Sequence, residues 1–334
     1  MGVMTEPRFH TLTREGITVK VVADNRNPAG SRLTTLACTY PRFIHSEVMT
    51  HRVFSRNAAS SRAIPTRALQ DRVWKDPAAP VFWGAEQKGM QAEGELSDEE
   101  ADRRSVMNRD GGYEDLTPRQ YAQQRWSTAR LDMLRAAREL SDLGSAHPDW
   151  KGVGLHKQLA NRLIEPWMSI TTLITATHWR GFLHQRAHPA AMPEFRVLAE
   201  LIGEVLETRA PVQLRFGEWH LPFVLDAEKA NDVPEGAAGF RHPLVRISTG
   251  RCARVSYLNH EGVSRPDEDR ALADRLEHAD RPEEPGHWSP FEHQATALSP
   301  FGAVPNPTAR SLHGNFHPSW IQHRKLFERE NQEG

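Results

Sequence analysis

The chain has 334 residues, of which 38% are hydrophobic and 25% are charged, a balance typical of a globular protein with a substantial core. Its 42 lysine and arginine residues nearly match its 43 acidic residues, which disfavours a generic nucleic-acid-binding protein. The sequence has no apolar run of about 20 residues and no signal-peptide core. Two cysteines, Cys38 and Cys252, indicate neither a disulfide framework nor a cysteine zinc site. We therefore expect a cytoplasmic protein without a membrane partner.

The first third of the chain predicts two strands and the start of a helix. Residues 17–24 and 33–40 are rich in β-branched side chains and predict strands, joined by an Asn/Pro/Gly turn at 25–31. The hydrophobic pattern becomes helical from Ile44. Residues 84–115 are polar and punctuated by glycine, which indicates a mobile insertion.

The middle of the chain is mainly helical. A proline in the first turn and a capping pair predict a helix over 117–144, whose apolar stripe we interpret as core packing. Residues 156–165 predict a helix that stops at the following proline, and residues 167–179 fit either a strand or a buried helix. An amphipathic helix is predicted over 193–207.

The last third begins with a connector and ends with a dense polar turn. Residues 210–241 are rich in proline and glycine, and PLVRIS after His242 fits either a strand or a helix. A helix follows over about 266–279. The sequence HWSPFEH at 287–293 places histidine, serine and glutamate around a Pro-Phe turn before a predicted strand. This turn is either a functional cluster or a structural cap.

The stretch Thr50–Arg62, which we call the signature stretch, reads THRVFSRNAASSR and holds three arginines without an acidic residue. A guanidinium presents a planar fork that matches two phosphate or carboxylate oxygens, and amides at a helix end or loop can add further donors. The stretch therefore predicts a specific anion site, with a solvated helix face as the alternative. No dinucleotide-binding fingerprint, phosphate loop or nucleophile elbow occurs, and the histidine pairs at helical spacing lack a carboxylate, so no metal site is expected.

These stretches resemble the motifs of the flavin-dependent thymidylate synthases. That family's signature is Arg-His-Arg, seven residues, serine, and an arginine two positions later. The matching positions here are His51, Arg52, Ser60 and Arg62. HWSPFEH resembles the family's His-x-Thr-Pro-Phe-Glu-His, RCARVSY at 251–257 resembles Ala-Ala-Arg-Val-Ser, and GFLHQRAHPAAMPEFR at 181–196 resembles an Asn-Phe-Leu-x-Leu-Arg segment followed by Ala-Gln-x-Glu-Ile.

The resemblance implies an α+β fold with a central mixed sheet flanked by helices. In the common form of the family the segments matched by 251–257 and 287–293 precede the signature, so this chain looks circularly permuted. We expect residues 244–298 to pack against 33–65 in one core. The expected organisation is a single catalytic domain, 1–334, with a signature and helical part, a connector and a permuted segment at 1–209, 210–241 and 242–334.

The family converts dUMP to dTMP, with methylenetetrahydrofolate as carbon donor, reduced FAD as hydride source and NADPH as reductant of the flavin. The resemblance therefore implies FAD as cofactor and a homotetramer with its flavin sites at subunit interfaces. Two alternatives stay open: a related flavin-dependent methylase or hydroxymethylase of another pyrimidine nucleotide, and a non-catalytic nucleotide-binding homologue.

The resemblance also implies roles for individual residues. The catalytic residues are Arg186, which faces the uracil carbonyl edge, and Ser60. The residues that bind dUMP are Ser60, Ser61, Arg62, Arg162 and Arg186. The residues that line the FAD site are His51, Arg52, Ser256, His287, Ser289 and Glu292.

Several positions depart from the family pattern. Thr50 replaces the first arginine of the signature, and Arg56, Arg180 or Arg324 could substitute for it. The positions where the family has flavin-binding Asn, Arg and Asn are here Thr175, Thr177 and Gly181. The tail segment WIQHRK at 320–325 resembles the start of the signature.

Overall fold

We analysed a computed structural model of the chain, which describes residues 9–141, 152–231, 242–255, 265–278, 286–297 and 312–327. The first elements are β1 (Thr11–Arg14), β2 (Ile17–Arg26), β3 (Arg32–Pro41), α1 (His45–Met49), β4 (Ser55–Ala58) and α2 (Thr66–Lys75). Then follow β5 (Arg104–Met107), β6 (Tyr113–Leu116), α3 (Pro118–Ser141), α4 (Lys157–Ala160), β7 (Ser169–Ala176), α5 (Arg180–Arg186) and α6 (Pro193–Thr208). The last are β8 (Val212–Gln213), β9 (Trp219–His220), α7 (Asp226–Asn231), α8 (Pro243–Arg254), α9 (Pro266–Glu277), β10 (Ala295–Ala297) and β11 (Trp320–Gln322). Short 3-10 helices cover Arg42–Ile44, Glu100–Asp102, Asn161–Trp167, Ser289–Glu292 and His323–Leu326.

The main sheet has the strand order β1-β2-β3-β7-β4, with every neighbouring pair antiparallel. The two-residue strand β8 lies beside β2 in parallel, so the sheet is mixed only through that short strand. The α+β class, with a central sheet flanked by helices, is confirmed. β3 is buried along almost its whole length, as expected of a central strand covered on both faces.

Helices cover both faces of this sheet. On one face α6 packs its stripe of Phe195, Leu198, Ile202 and Val205 against β2 and β3, as the helical spacing predicts. On the other face the sheet residues Val22, Ala37 and Leu173 form one cluster with Phe223 and with Cys252 and Val255 from the end of α8. Residues on both sides of the connector therefore contribute to the packing around the same sheet.

Two segments have sequences that fit either a strand or a helix, and each adopts one of these conformations. Residues 167–179 contain β7, where threonine and isoleucine suit a buried, pleated strand. PLVRIS begins α8 with proline in its first turn, and the imidazole of His242 accepts a hydrogen bond from the amide of Leu244 at 3.2 Å. α3 begins as predicted, because Thr117 and Gln120 exchange two hydrogen bonds of 3.2 Å in a reciprocal cap.

The polar segment and the connector hold elements that the sequence did not predict. The polar segment 84–115 contains most of the β5–β6 hairpin, whose side chains are almost all exposed and therefore carry no hydrophobic alternation. The connector contributes β8, β9 and α7. β9, β10 and β11 form a second, three-stranded sheet. Among the described residues no helix is long and apolar enough to cross a bilayer.

The C-terminal elements pack against the beginning of β3 in the main sheet. Leu33 on β3 packs in one cluster with Ala295, Phe316 and Trp320. The indole nitrogen of Trp320 donates to the Ser31 hydroxyl at 3.1 Å. Residues 33–65 and the described part of 244–298 are therefore in direct contact.

Candidate functional site

The signature stretch runs from the end of α1, along the edge strand β4, into a turn. His51 and Arg52 follow α1, and the Ser60–Ala63 turn is closed by the Ala63 amide, which donates to the Ser60 carbonyl at 2.9 Å. β4 lies between these two parts of the stretch and pairs with β7 as an extended strand. Because its four residues span about 10 Å, the two parts lie at opposite ends of the strand. The sequence predicted a helix end and a loop here. The strand was missed because SRNA is short and polar.

His51 and Arg186 meet at the first end of β4. The Arg186 Nε donates to His51 Nε2 at 2.9 Å, although the two residues are 135 positions apart. The guanidinium also lies over the Phe195 ring, 4.8 Å from its centroid, and Phe182 contacts the His51 ring edge to face at 5.0 Å. Burial, followed by the charges of Arg186 and Arg56, lowers the pKa of His51. His51 is therefore a neutral acceptor toward Arg186 and keeps its proton on Nδ1.

Three of the arginines in the predicted site carry charge that no carboxylate neutralises. Within the described ranges, Arg52, Arg62 and Arg186 make no ion pair with an aspartate or glutamate. Arg52 and Arg62 are exposed, and Arg186 is half-buried. A surface arginine is commonly paired or solvated at no cost, whereas burying an unpaired charge is costly. Of the three arginines, the half-buried Arg186 is therefore the strongest indication of a ligand site.

The Ser60–Ala63 turn contains backbone amides that have no acceptor among the described residues. Its carbonyls are bound from the inner side: Asn161 Nδ2 donates to the Ser61 carbonyl at 2.7 Å, and Lys157 Nζ donates to the Ala63 carbonyl at 3.2 Å. Among the described residues, the amides of Ser60, Ser61 and Arg62 have no acceptor, nor does the Ser60 hydroxyl. Successive free N–H groups beside a guanidinium form a concave site for an anion.

Glu165 joins this turn to Arg162 and was not singled out from the sequence. The Ser61 hydroxyl donates to Glu165 Oε1 at 2.6 Å, and the guanidinium groups of Arg162 and Arg42 lie 3.5 and 3.9 Å from the same carboxylate. The Ser61 hydroxyl is thus bonded within the protein, which leaves the Ser61 amide as its donor for a ligand. The spacing of Arg162 and Glu165 at i and i+3 was visible in the sequence, but their contact with Ser61 was not.

The HWSPFEH turn lies against β4. Ser289 Oγ donates to Asn57 Oδ1 at 3.3 Å, and Asn57 Nδ2 donates to the Cys252 carbonyl at 2.7 Å. Glu292 forms an ion pair with Arg324. Residues from four distant segments therefore meet at the edge strand.

The structure says less about the remaining predicted flavin-binding positions. His287 is exposed, with its ring 5.7 Å from that of His278. Ser256 lies outside the described residues. The Thr50 hydroxyl donates to the Glu47 carbonyl at 2.7 Å, so it turns back onto α1.

A buried chain of hydrogen bonds leads to His293, the last residue of HWSPFEH. Asn25 Oδ1 accepts from His220 Nδ1 at 2.7 Å, and burial lowers the pKa of His220 and of His293 to about 3, so each ring keeps one proton near neutral pH. The Thr35 hydroxyl must then donate to His220 Nε2 at 2.7 Å. Thr175 donates to Thr35 at 2.7 Å, and His293 Nδ1 donates to Thr175 at 2.8 Å.

This chain of bonds has two consequences for the site. Thr175, which by resemblance stands at a flavin-binding position, has its hydroxyl bonded within the core. His293 Nε2 is a buried acceptor without a hydrogen-bond partner in the part of the chain that the structure describes. Within that same part, no group of three or more histidine, cysteine or acidic side chains is arranged to hold a metal ion.

The sequence was also compared with known proteins. No family model matches the chain, and no curated protein matches it.

Proposed function

We propose that this chain is a flavin-dependent thymidylate synthase, which methylates dUMP to dTMP with methylenetetrahydrofolate as carbon donor, FAD as flavin and NADPH as reductant. The observation that carries the proposal is the 2.9 Å contact between Arg186 and His51. It joins two segments that resemble separate motifs of the family and lie far apart in the sequence. The aromatic rings of Phe182 and Phe195 hold both side chains in place.

The chemistry gives Arg186 its role. Carbon 5 of uracil becomes nucleophilic when negative charge on a ring carbonyl oxygen is stabilised, and a guanidinium fixed in a half-buried position stabilises it without reorganisation. Arg186 has no carboxylate partner among the described residues, so its charge is available to the ring. Addition of a thiolate is the other route to this activation. Burial raises the pKa of Cys38 and of Cys252, which leaves neither as a thiolate near neutral pH.

The Ser60–Ala63 turn is the proposed site of the dUMP phosphate. The amides of Ser60, Ser61 and Arg62 have no acceptor in the described part of the chain, and the Arg62 guanidinium is exposed beside them. Arg162 lies next to the turn through Glu165. Amides and a guanidinium together match the charge and the geometry of a phosphate monoester.

The proposed FAD site uses the other residues of the signature and of HWSPFEH. When bound, FAD supplies the hydride that NADPH provides. Arg52 offers a guanidinium without an acidic partner among the described residues, and His51 offers an Nδ1 proton. Ser289 and Glu292 add acceptor oxygens, and His287 of the same turn is exposed; together these groups fit a polar, anionic cofactor. We propose a cytoplasmic homotetramer with this site at subunit contacts. Met49 and Val53, which flank His51, are exposed apolar side chains that support an interface there.

A non-catalytic nucleotide-binding protein is the second candidate, and Thr50 favours it. The family's first signature arginine contacts flavin and nucleotide, whereas the Thr50 hydroxyl is bonded to the backbone of α1. Arg324, which pairs with Glu292 near β4, and Arg56 are the side chains that could replace that arginine.

Turnover by purified protein separates the candidates. We expect the protein to bind FAD and to form dTMP, measured by mass spectrometry, from dUMP, methylenetetrahydrofolate and NADPH. Arg186→Ala should lower turnover by about 10²- to 10³-fold, because the uracil oxygen loses a charged donor, while flavin binding persists. Arg125→Gln, which removes an exposed arginine of α3, is the matched control and should retain turnover.

Each other outcome selects a different conclusion. A colourless protein that binds dUMP without turnover supports the non-catalytic candidate. A hydroxymethylated product, or turnover of another pyrimidine nucleotide only, supports the related-enzyme alternative. Near-normal turnover by Arg186→Ala removes the proposed role of Arg186.

A further inference from the structure

The Ser60–Ala63 turn has a carboxylate built against it. Glu165, on the 3-10 helix Asn161–Trp167, accepts the Ser61 hydroxyl at 2.6 Å and lies 3.5 Å from Arg162 and 3.9 Å from Arg42. Its side chain is only 16% exposed. The negative charge of Glu165 therefore lies beside the turn whose amides and Arg62 would bind a phosphate.

We propose that Glu165 makes the Ser60–Ala63 turn selective for a single phosphate group and against di- and triphosphates. This inference rests on the proposed function, which assigns a phosphate to the turn, and it identifies the residue that sets the class of nucleotide.

The free donors at the turn suffice for one phosphate group. Three amides and the Arg62 guanidinium can each meet a phosphate oxygen without breaking an existing contact. The guanidinium groups of Arg162 and Arg42 already face Glu165. Lys157 is bonded to the Ala63 carbonyl. A second phosphate would have to take Arg162 away from Glu165.

A longer phosphate chain would also be repelled. Each added phosphate brings further negative charge close to a carboxylate that is largely withdrawn from water, where salt screens repulsion less than at an exposed site. A monophosphate bound at the amides leaves the ion pairs of Glu165 in place. The same carboxylate therefore weakens the binding of pyrophosphate more than the binding of phosphate.

Glu165→Gln isolates the charge. The amide oxygen that replaces the carboxylate can still accept the Ser61 hydroxyl, and Asn161 still binds the Ser61 and Ile64 carbonyls. The turn keeps its support while one negative charge disappears.

The test is calorimetric titration of the full chain with inorganic phosphate and with pyrophosphate at one fixed ionic strength. We expect Glu165→Gln to tighten pyrophosphate binding by about tenfold and phosphate binding by about threefold or less, because repulsion scales with ligand charge. Ser61→Ala removes the hydrogen bond and keeps the charge, so it should retain the wild-type ratio of the two dissociation constants. Arg62→Gln should weaken both probes, which ties binding to this turn.

Two results overturn the inference: an unchanged ratio of the two dissociation constants in Glu165→Gln, or no binding of either probe by the wild type. FAD binding and dTMP formation, measured on the same preparation, keep the two proposals separate. A protein that forms dTMP with an unchanged ratio retains the proposed function and loses the role of Glu165. A protein that shows the expected change of ratio without flavin or turnover retains the role of Glu165 and loses the proposed function.

Discussion

The His51 imidazole is held neutral in contact with a cation. Burial comes first among the causes that lower its pKa, and the positive charges of Arg186 and Arg56 add to it. The neutral ring can accept from Arg186 Nε only with its proton on Nδ1. That proton is a donor whose position is fixed by a residue from a distant segment.

Replacing Arg186 should therefore change the titration of His51. We expect Arg186→Gln to raise the pKa of His51 toward its ordinary value, since a neighbouring positive charge and a donor to Nε2 are removed. The histidine ring signals in an NMR pH titration measure this directly, without turnover. Arg180→Gln is the control on the same helix. An unshifted titration in Arg186→Gln would show that burial and Arg56 set the pKa of His51 without Arg186.

The sequence could identify some of these residues and not others. Arg186, Ser60 and Arg62 were singled out because a linear pattern carries them. Glu165 was not, because its importance comes from the contact with Ser61, 104 residues away. The proton position on His51 likewise depends on a side chain that no local pattern reveals.

At the level of elements, β2, β3 and β7 are joined to β9 and HWSPFEH by one buried chain of hydrogen bonds. Asn25, Thr35 and Thr175 come from the main sheet, and His220 and His293 come from outside it. Both imidazoles are completely buried. Polar groups withdrawn from water in this way stabilise one arrangement of the strands only while every proton stays in place.

Mild acid should destabilise the protein through these two histidines. Their pKa is about 3 in the fold and about 6.5 in an unfolded chain, so below pH 6.5 only the unfolded chain takes up the protons. Stability is complete above pH 6.5 and falls as the pH falls, by about 2 kcal/mol for each histidine at pH 5. Urea unfolding at several values between pH 7 and pH 5 measures the slope.

His293→Gln should flatten that slope, while replacement of the exposed His184 should leave it unchanged. A slope in His293→Gln equal to that of the wild type would contradict the assignment. Nitrogen-15 shifts supply a second readout, because the hydrogen-bond chain requires the proton of His293 on Nδ1.

Some helices and strands were predicted from the sequence, and others were not. Long periodic segments such as α3 and α6, and β-branched runs such as β2 and β3, were recognised because their own side chains carry the pattern. β4 and the exposed β5–β6 hairpin were missed. β4 is a strand because β7 offers it an edge, which is a property of the partner and not of the sequence SRNA.

At the scale of the whole molecule, the segment 312–327 fastens the second sheet to the first. Phe316 and Trp320 pack with Leu33 of β3. Asn27 Nδ2 donates to the Ser319 carbonyl at 3.1 Å, and Gln322 Nε2 donates to the Ser55 hydroxyl at 3.0 Å. Residues near both ends of the described chain are thus in direct contact.

Truncation of Trp320 should show how much this contact stabilises the fold. Trp320 is 1% exposed, so Trp320→Ala should lower the free energy of unfolding by about 3–5 kcal/mol through lost apolar contact and a residual cavity. Trp74 is 63% exposed, and Trp74→Ala is the matched control, with an expected loss of about 1 kcal/mol or less. Denaturant unfolding measures both variants. Equal losses would mean that the segment contributes little.

The edge strand β4 obtains its neighbours from very late in the chain. The Ser55 side chain forms a hydrogen bond with Gln322, 267 residues later, and the Asn57 side chain forms one with Ser289, 232 residues later. A ribosome adds about 5–20 residues per second, so the newly made signature would spend on the order of tens of seconds without those partners. During that interval the edge strand is not covered by the segments that pack against it in the folded protein, so it is more accessible to another chain. The nascent protein is therefore expected to depend on chaperones most strongly during synthesis, before the site-forming segments have emerged.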